Sequence, residues 1–440
     1  MTSVFSRLRL AGADRRWVML IVLTTLTTAG MTVVLPVLPF VVLRYVSGEG
    51  ELALWVGALE AVNGLCAFIA APFLGRLSDR FGRRPVIIVA SFGAALSMLL
   101  FGIGGALWVL LLARVVQGAT AGDLPALFAY LADITPPEKR AQRFGLLGAL
   151  SGIGTMVGPA LGGLLAAIDL ALPVFVTAGI SFLIATLSVF LLPESLDRKN
   201  RIPAIAVSDL NPFAVFRRAF VRPELRAMLI AFALLALPFG FFVNNFSVLA
   251  LDSIGWGPTA IGLLIAVVGV IDILVQGILL GILLPRMGER GVIVAGIAAQ
   301  TAGLVALAVV ASLVAQPWLF VLGALALAAG QGASQATLDG VMSNAVAADE
   351  QGWLGGVTQS LTAAMGTIAP ILAGVLYAGV AHAAPYALGA ALMVVAAVTV
   401  LRARIVNAAT HHGARNVEAI GVETGVEVAA GAAPGSAPRA

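Results

Sequence analysis

The run Gly75-Arg76-Leu77-Ser78-Asp79-Arg80-Phe81-Gly82-Arg83-Arg84-Pro85 sets one aspartate among four arginines and punctuates them with Gly75 and Gly82. Glycine lets a helix stop and the chain turn tightly, because it tolerates backbone angles that other residues avoid. Apolar runs flank the segment at 53–76 and 85–104. Each has the roughly 20 residues needed to cross a bilayer as a helix. The charged run is therefore a short loop between two membrane helices. Within it, Asp79 can pair with an arginine of the loop or with a neighbouring helix end, which makes a two-state latch at one membrane face. An ordinary basic loop has no need of the Gly–Asp–Gly spacing.

Reading outward from this loop gives twelve apolar runs: 17–42, 53–76, 85–104, 108–131, 144–167, 173–193, 227–250, 259–284, 291–312, 317–340, 354–379 and 384–403. The first follows Arg7, Arg9, Arg15 and Arg16 and is longer than the core of a cleavable signal peptide, so it is read as a retained helix. Composition points the same way. Of 440 residues, 60% are hydrophobic and 11% charged, against about 25% charged in soluble domains. So few charges cannot cover a water-facing surface, whereas apolar side chains are stable against lipid. The expected fold class is an all-α polytopic membrane protein with twelve transmembrane helices.

Other functions find little support. One cysteine, Cys66, excludes an internal disulfide and a cysteine-based metal cluster, and three histidines offer little for a histidine-rich site. There is no metal-ligand spacing and no phosphate-binding loop. Neither an enzyme nor a cofactor is expected. The formal net charge of +4 is not gathered on one soluble face, so no nucleic-acid partner is implied.

The placement of the 26 basic residues explains that charge. Apart from the four before the first run, they fall between runs 2 and 3, 4 and 5, 6 and 7, 8 and 9, and after run 12. Only Arg44 falls in an opposite-side loop, and only Arg114 inside a run. Basic loops face the cytoplasm, so both termini are read as cytoplasmic.

The chain divides at its middle. Residues 194–226 form the one long loop, broken by Pro203, Pro212 and Pro223, with six runs on each side. The halves echo each other. GRLSDRFGRRPVI from Gly75 returns as GILLPRMGERGVI from Gly281, and GPALGG from Gly158 as APILAG from Ala369. Two pseudo-symmetric six-helix bundles, 1–193 and 227–404, are expected, followed by a disordered cytoplasmic tail, 405–440. Repeats with a site near the midplane between them are typical of secondary transporters.

Charges inside the membrane cost several kcal/mol and are functional candidates by default. Four qualify: Glu60, Arg114, Asp123 and Asp272. With a rise of about 1.5 Å per residue, Glu60 lies roughly 10 Å below the outer end of run 2. Asp123 lies about 22 Å down run 4 and Asp272 about 20 Å down run 8. Arg114 is in the outer third of run 4, roughly three turns from Asp123. A carboxyl whose dielectric surroundings and distance to a cation change between conformations takes up a proton in one and releases it in the other. Glu60 also has a plainer reading, snorkelling to the interface or neutralising Arg114. Gly122 and Pro125 beside Asp123 point to a helix irregularity that opens backbone groups to a cavity. Nothing basic lies near Asp272 in its own helix. Gln117, Asn63, Asn244, Asn245, Gln276, Gln331 and Gln335 could complete a site, or serve only as interhelical hydrogen bonds. Phe40, Phe239, Phe241 and Phe246 are candidates for lining an apolar cavity, or for packing.

These motifs are similar to those of the major facilitator superfamily. The run from Gly75 is its signature loop, with Gly75, Asp79, Arg80, Gly82, Arg83 and Arg84 as a cytoplasmic gate. Arg114-Val115-Val116-Gln117-Gly118 resembles the fourth-helix motif. Gly152, Gly154, Gly158, Pro159, Gly162 and Gly163 resemble the exporter-type fifth-helix motif; the plainer reading of Gly152, Gly158 and Gly162 is that they only permit close helix approach. More narrowly, PVLPF from Pro36, SDRFGRRPV, YLADITPPEKRAQRFG from Tyr130, LLPES from Leu191 and MGER from Met287 resemble the tetracycline-resistance type of drug/proton antiporter. That family carries acids in its first and ninth helices, where this chain has Thr27 and Gln300.

The resemblance implies the major facilitator fold in a bacterial inner membrane, with fifth-helix glycines at the interface between halves, where tight packing seals one access state. It implies export of small, mostly apolar organic compounds in exchange for protons by a monomer, with the substrate, protons and the lipid bilayer as its partners. The alternative on the same fold is an importer or facilitator of a sugar or small metabolite. A sugar site calls for many hydrogen-bonding groups and stacking aromatics, and this chain has six Trp and four Tyr.

Overall fold

Prolines and glycines set the helix boundaries. The computed structural model describes residues 12–46, 49–204, 220–346 and 350–403. Its α-helices are α1 (Gly12–Val33), α2 (Leu38–Val42), α3 (Glu49–Phe81), α4 (Arg83–Ile103), α5 (Leu107–Ala119), α6 (Asp123–Ile134) and α7 (Pro137–Ala166). They continue with α8 (Leu172–Phe190), α9 (Pro223–Ile254), α10 (Pro258–Leu274), α11 (Leu280–Ser312), α12 (Pro317–Asn344), α13 (Gln351–Gly379) and α14 (Ala384–Arg402). Helices α7, α8, α9, α10, α12 and α14 open with proline at the first or second position. There the missing N–H is no loss, because the first amides of a helix have no partner.

Eleven helical stretches among the described residues are long and apolar enough to cross a membrane. One of them runs 55 residues, from Pro258 to Ser312, about twice what a bilayer accommodates. It reverses at Gly288, where φ is 67° and ψ 170°, angles that a side-chain-bearing residue rarely adopts. The stretch is therefore the eighth and ninth spans, and twelve spans result.

Two expected runs are interrupted. The first, 17–42, stops as a helix at Val33, and α2 resumes at Leu38. Pro36 removes an amide and biases Leu35 away from helical angles. The fourth, 108–131, breaks at residues 120–122 into α5 and α6, leaving Asp123 as the first residue of a helix. Residues 205–219 of the central loop, the tail from 404 onward, and Arg7 and Arg9 lie outside the described residues.

Helices pack mostly within their own half. α1 lies along α7, α4 along α8 and α3 along α5; α11 lies along α12 and α14, and α9 along α13 and α14. The halves meet along two seams, α3 with α13 and α7 with α10. In each, a proline carbonyl presses on a glycine: Pro370 on Gly57 and Pro159 on Gly262. A Cβ at either glycine would overlap that carbonyl. Both contacts lie near the ends of the helices opposite the basic loops. Toward the basic-loop end, Gly145 and Gly148 of α7 and Gly355 and Gly356 of α13 face open space, as does Gly152 at the middle of α7. The bundle is closed on the outer side and open on the basic side. Side chains such as Val89, Leu96, Phe182 and Phe190 stand exposed around the perimeter, as a hydrocarbon solvent requires.

Candidate functional site

Three of the quoted phrases converge at the basic end of the first half. Gly82, with φ 113°, separates α3 from α4. The freed amides at the start of α4 have no intrahelical acceptor, and a carboxylate supplies one. Glu194 of LLPES accepts the N–H groups of Arg83 at 2.9 Å and Arg84 at 3.3 Å. It also accepts those of Ser195 at 2.9 Å and Leu196 at 3.1 Å.

Above this cap, the Arg83 guanidinium binds Asp79 at 2.6 Å and Asp133 of YLADITPP at 3.1 Å. Arg84 donates to the carbonyls of Ser188 at 3.2 Å and Val189 at 2.5 Å at the end of α8. Arg80 sits over the Phe81 ring, 5.3 Å from its centroid, and Gly75 faces open space. Asp79 thus pairs within its own loop, while Asp133 reaches it from the fourth span. Replacing Glu194 with alanine strands four amide donors and is expected to cost about 1–3 kcal/mol. Thermal unfolding of the purified protein in detergent would read this as a lowered Tm. An unchanged Tm would mean that water caps α4 equally well.

The second half repeats the design in part. Gly288 takes the place of Gly82, both with positive φ. Arg290 takes the place of Arg84 and donates to the Ala403 carbonyl at the end of α14. At the positions of Asp79 and Arg83 stand Pro285 and Glu289, so this copy lacks the carboxylate–guanidinium pair.

The intramembrane charges separate into three places. Arg114 of α5 is buried and binds Glu60 of α3 at 2.9 Å. Its other terminal nitrogen donates to Gln117 one turn on, at 2.6 Å, and its plane lies 4.9 Å from the Phe101 centroid. The plainer reading of Glu60, neutralising Arg114, describes the contact. Glu60 also lines a cavity of about 180 Å³ between the halves, with Asn244 and Pro370.

Asp123 opens α6, its carboxylate accepting the Leu124 N–H at 2.9 Å. It lines a small pocket of about 30 Å³ with Thr27, Ser91 and Gln117, room enough for a water or two. The hydroxyls of Thr27 and Ser91 are buried there without a protein partner.

Asp272 lies on α10, immediately before a π-helical turn, Val275–Leu279. Such bulges recur at functional sites. Its carboxylate accepts the Gln276 amide at 2.8 Å and fills the space a Cβ on Gly332 of α12 would take. Gln300, fully buried, donates to Ser334 of the same helix at 2.8 Å.

The fifth-helix motif is split between two surfaces. Gly154, Gly158 and Gly162 recur every fourth residue and face α1, against Thr28, Thr32 and the Val33 carbonyl. Gly163 faces α10, and Thr259 donates to its carbonyl at 2.9 Å. Gly154, Gly158 and Gly162 thus serve close helix approach within their own half rather than the interface between halves, which Gly163 alone of the four reaches. A period of 3.6 carries one stripe to the neighbour within the half and the next stripe across it.

The largest cavity described, about 720 Å³, lies between α9, α12 and α13 and opens toward the basic end. Phe239 lines it, with Phe232, Met342 and Met365; Phe241 and Phe246 are instead core residues. Sequence reading missed Asp133, Glu194 and Asp339, the last of which lines this cavity. All three sit close to span ends, where a charge draws no notice by itself. The first two stand inside phrases already quoted, and Asp339 continues the four-residue spacing of Gln331 and Gln335.

The chain matches the model of a family described as Major Facilitator Superfamily over residues 18–370. It is 34% identical over 374 residues to the tetracycline resistance protein, class C, of Escherichia coli, covering 84% of this chain and 92% of that one. It is 33% identical over 365 residues to the class H protein of Pasteurella multocida, covering 82% and 88%. Among solved structures, that of the human organic anion transporter MFSD10 (TETRAN) is similar, with a TM-score of 0.67. That match has 19% identity and covers 89% of this chain and all of the other, so it speaks for the fold alone.

Proposed function

Because the chain belongs to the Major Facilitator Superfamily, we propose that it is a secondary active transporter exporting small, mostly apolar, drug-like compounds in exchange for protons. The observation that carries this reading is the apolar-walled cavity open to the basic face, in a chain whose relatives are resistance proteins. Export needs a site that loads from the cytoplasm, and this cavity offers one of drug-sized volume. The importer or facilitator of a sugar has less behind it, since among the described residues that line the cavity there is neither Trp nor Tyr to stack on a sugar ring.

Alternating access follows from the two seams. Halves 1–193 and 227–404 rock about the midplane: the outer contacts at Gly57 and Gly262 part as the basic ends close. The Asp79–Arg83–Asp133 cluster is the latch of the cytoplasmic gate, and Glu194 holds the helix end on which it turns. The basic loops and both termini face the cytoplasm of a bacterial inner membrane, and the protein works as a monomer.

Two carboxyls are assigned to the proton. Asp123 shares its pocket with Thr27, the first-helix position where tetracycline-type exporters carry an acid, so the acid function moves one helix across the same space. Asp272 and Gln300, the ninth-helix position, both bear on α12 within residues 330–334. The same transfer applies there.

Purified protein in liposomes with an imposed pH gradient tests this reading. A panel of lipophilic drugs, tetracycline included, should move protons in wild type. Asp123→Asn or Asp272→Asn should abolish that movement while leaving folding intact. Normal proton dependence in both variants would remove them as carriers, and silence of folded wild type across the panel would favour a facilitator.

A further inference from the structure

Beyond the proton sites, one face of α12 presents a ladder to the 720 Å³ cavity: Gln331, Gln335 and Asp339. The four-residue spacing stacks them on successive turns. Gln331 donates to the Gln335 carbonyl oxygen at 3.5 Å, and Gln335 donates to both Asp339 oxygens at 3.3 and 3.4 Å. The ladder is polarised, each carboxamide passing its donor toward the carboxylate. At its deep end the Gln331 carbonyl oxygen is buried without a partner. Asp339 is the one charged side chain among the described residues that line the cavity. Arg222, the arginine at the mouth of the same helices, is already held by both oxygens of Glu350 at 2.5 and 2.8 Å and lies over Trp353.

Among the described residues, the cavity therefore combines apolar and aromatic walls with one negative charge, acceptor oxygens at both ends of the ladder, and no positive charge. We propose that this face is a binding subsite for a singly charged lipophilic organic cation, its cationic nitrogen at Asp339 and its apolar body against Phe232, Phe239 and Met365. A carboxylate flanked by apolar walls attracts such a charge more strongly than one free in solution, and the aromatic ring of Phe239 adds attraction of its own. An organic anion meets repulsion from Asp339, with no cationic side chain among the described lining residues to offset it. The assignment rests on the export reading for its transport meaning, but binding is a separate property of the cavity.

Equilibrium binding without a pH gradient separates the two. Ethidium, a fluorescent aromatic monocation, would be titrated into the full-length protein in detergent, alongside the uncharged fluorophore N-phenyl-1-naphthylamine. Wild type should bind both saturably. Asp339→Asn should weaken ethidium by roughly tenfold or more and leave the neutral probe unchanged, which also certifies the fold. Asp339→Glu should keep ethidium within a few-fold of wild type. The proposal is overturned if ethidium fails to bind wild type, if Asp339→Asn binds it equally well, or if the variant loses both probes while Asp339→Glu loses them too. Charge-dependent binding with no accompanying proton movement in liposomes would instead uphold the site and sink proton-driven export.

Discussion

Glu60→Gln is expected to destabilise the protein by about 3–5 kcal/mol, and Glu60→Gln with Arg114→Gln to recover most of that loss. The buried Arg114 guanidinium sits among apolar neighbours with Glu60 as its counter-charge at 2.9 Å. Removing the carboxylate leaves a cation in a low-dielectric interior, which costs far more than the pair itself contributes. Removing both charges leaves two carboxamides that can bond each other and Gln117. The double variant should also regain substrate-dependent proton movement, because the proton is assigned to Asp123 and Asp272. Thermal unfolding in detergent and the liposome assay read the two outcomes. A double variant as unstable as the single would show that the pair is not a matched couple. A stable but silent one would return Glu60 to the coupling machinery.

Gly57→Leu and Gly262→Leu should each drive the bundle out of the outer-closed arrangement. In that arrangement a carbonyl occupies the place of the new side chain, and overpacking of this kind costs about 1–3 kcal/mol. Since only the closed seam bears the cost, the population shifts by roughly 5- to 150-fold toward the outer-open state. Cys66 is the single cysteine, so a Cys66→Ser background carries spin labels at Leu43 and Val314 without interference. Both positions are exposed at the outer ends of their helices. The label distance should lengthen in either variant, and transport should fall because the resting cycle cannot reset. An unchanged distance distribution would mean that the helices slide past the added bulk, and the seams would lose their role as the pivot.

Most of the architecture could be read from length and charge. Apolar runs of bilayer length returned as helices, because a membrane leaves the backbone no other partner for its polar groups. The two breaks had different visibility. The one before Asp123 announced itself through Gly122 and Pro125, while the one after Val33 was hidden because Pro36 stands inside an unbroken apolar run.

Site geometry was harder. Glu60 and Arg114 belong to different helices, and nothing in their spacing states that α3 turns one toward the other. The fifth-helix glycines were seen as a group, but their division between α1 and α10 depends on helix rotation, which an all-apolar helix does not display. Asp339 was passed over because a carboxylate five residues from a helix end reads as interfacial until the ladder from Gln331 through Gln335 is seen to lead to it along the cavity wall.

The paired loops at Gly82 and Gly288 have a mechanical meaning in their inequality. Both are pinned by an arginine on the last carbonyls of their half, but only the first adds Asp79, Arg83 and Asp133. On the proposed gating role, the protein is a clamp with one fixed jaw and one electrically sprung jaw. Ionic strength acts on charge pairs near water and leaves carbonyl anchors largely untouched. A change in salt would then adjust how readily the first jaw lets go, while the second keeps its set.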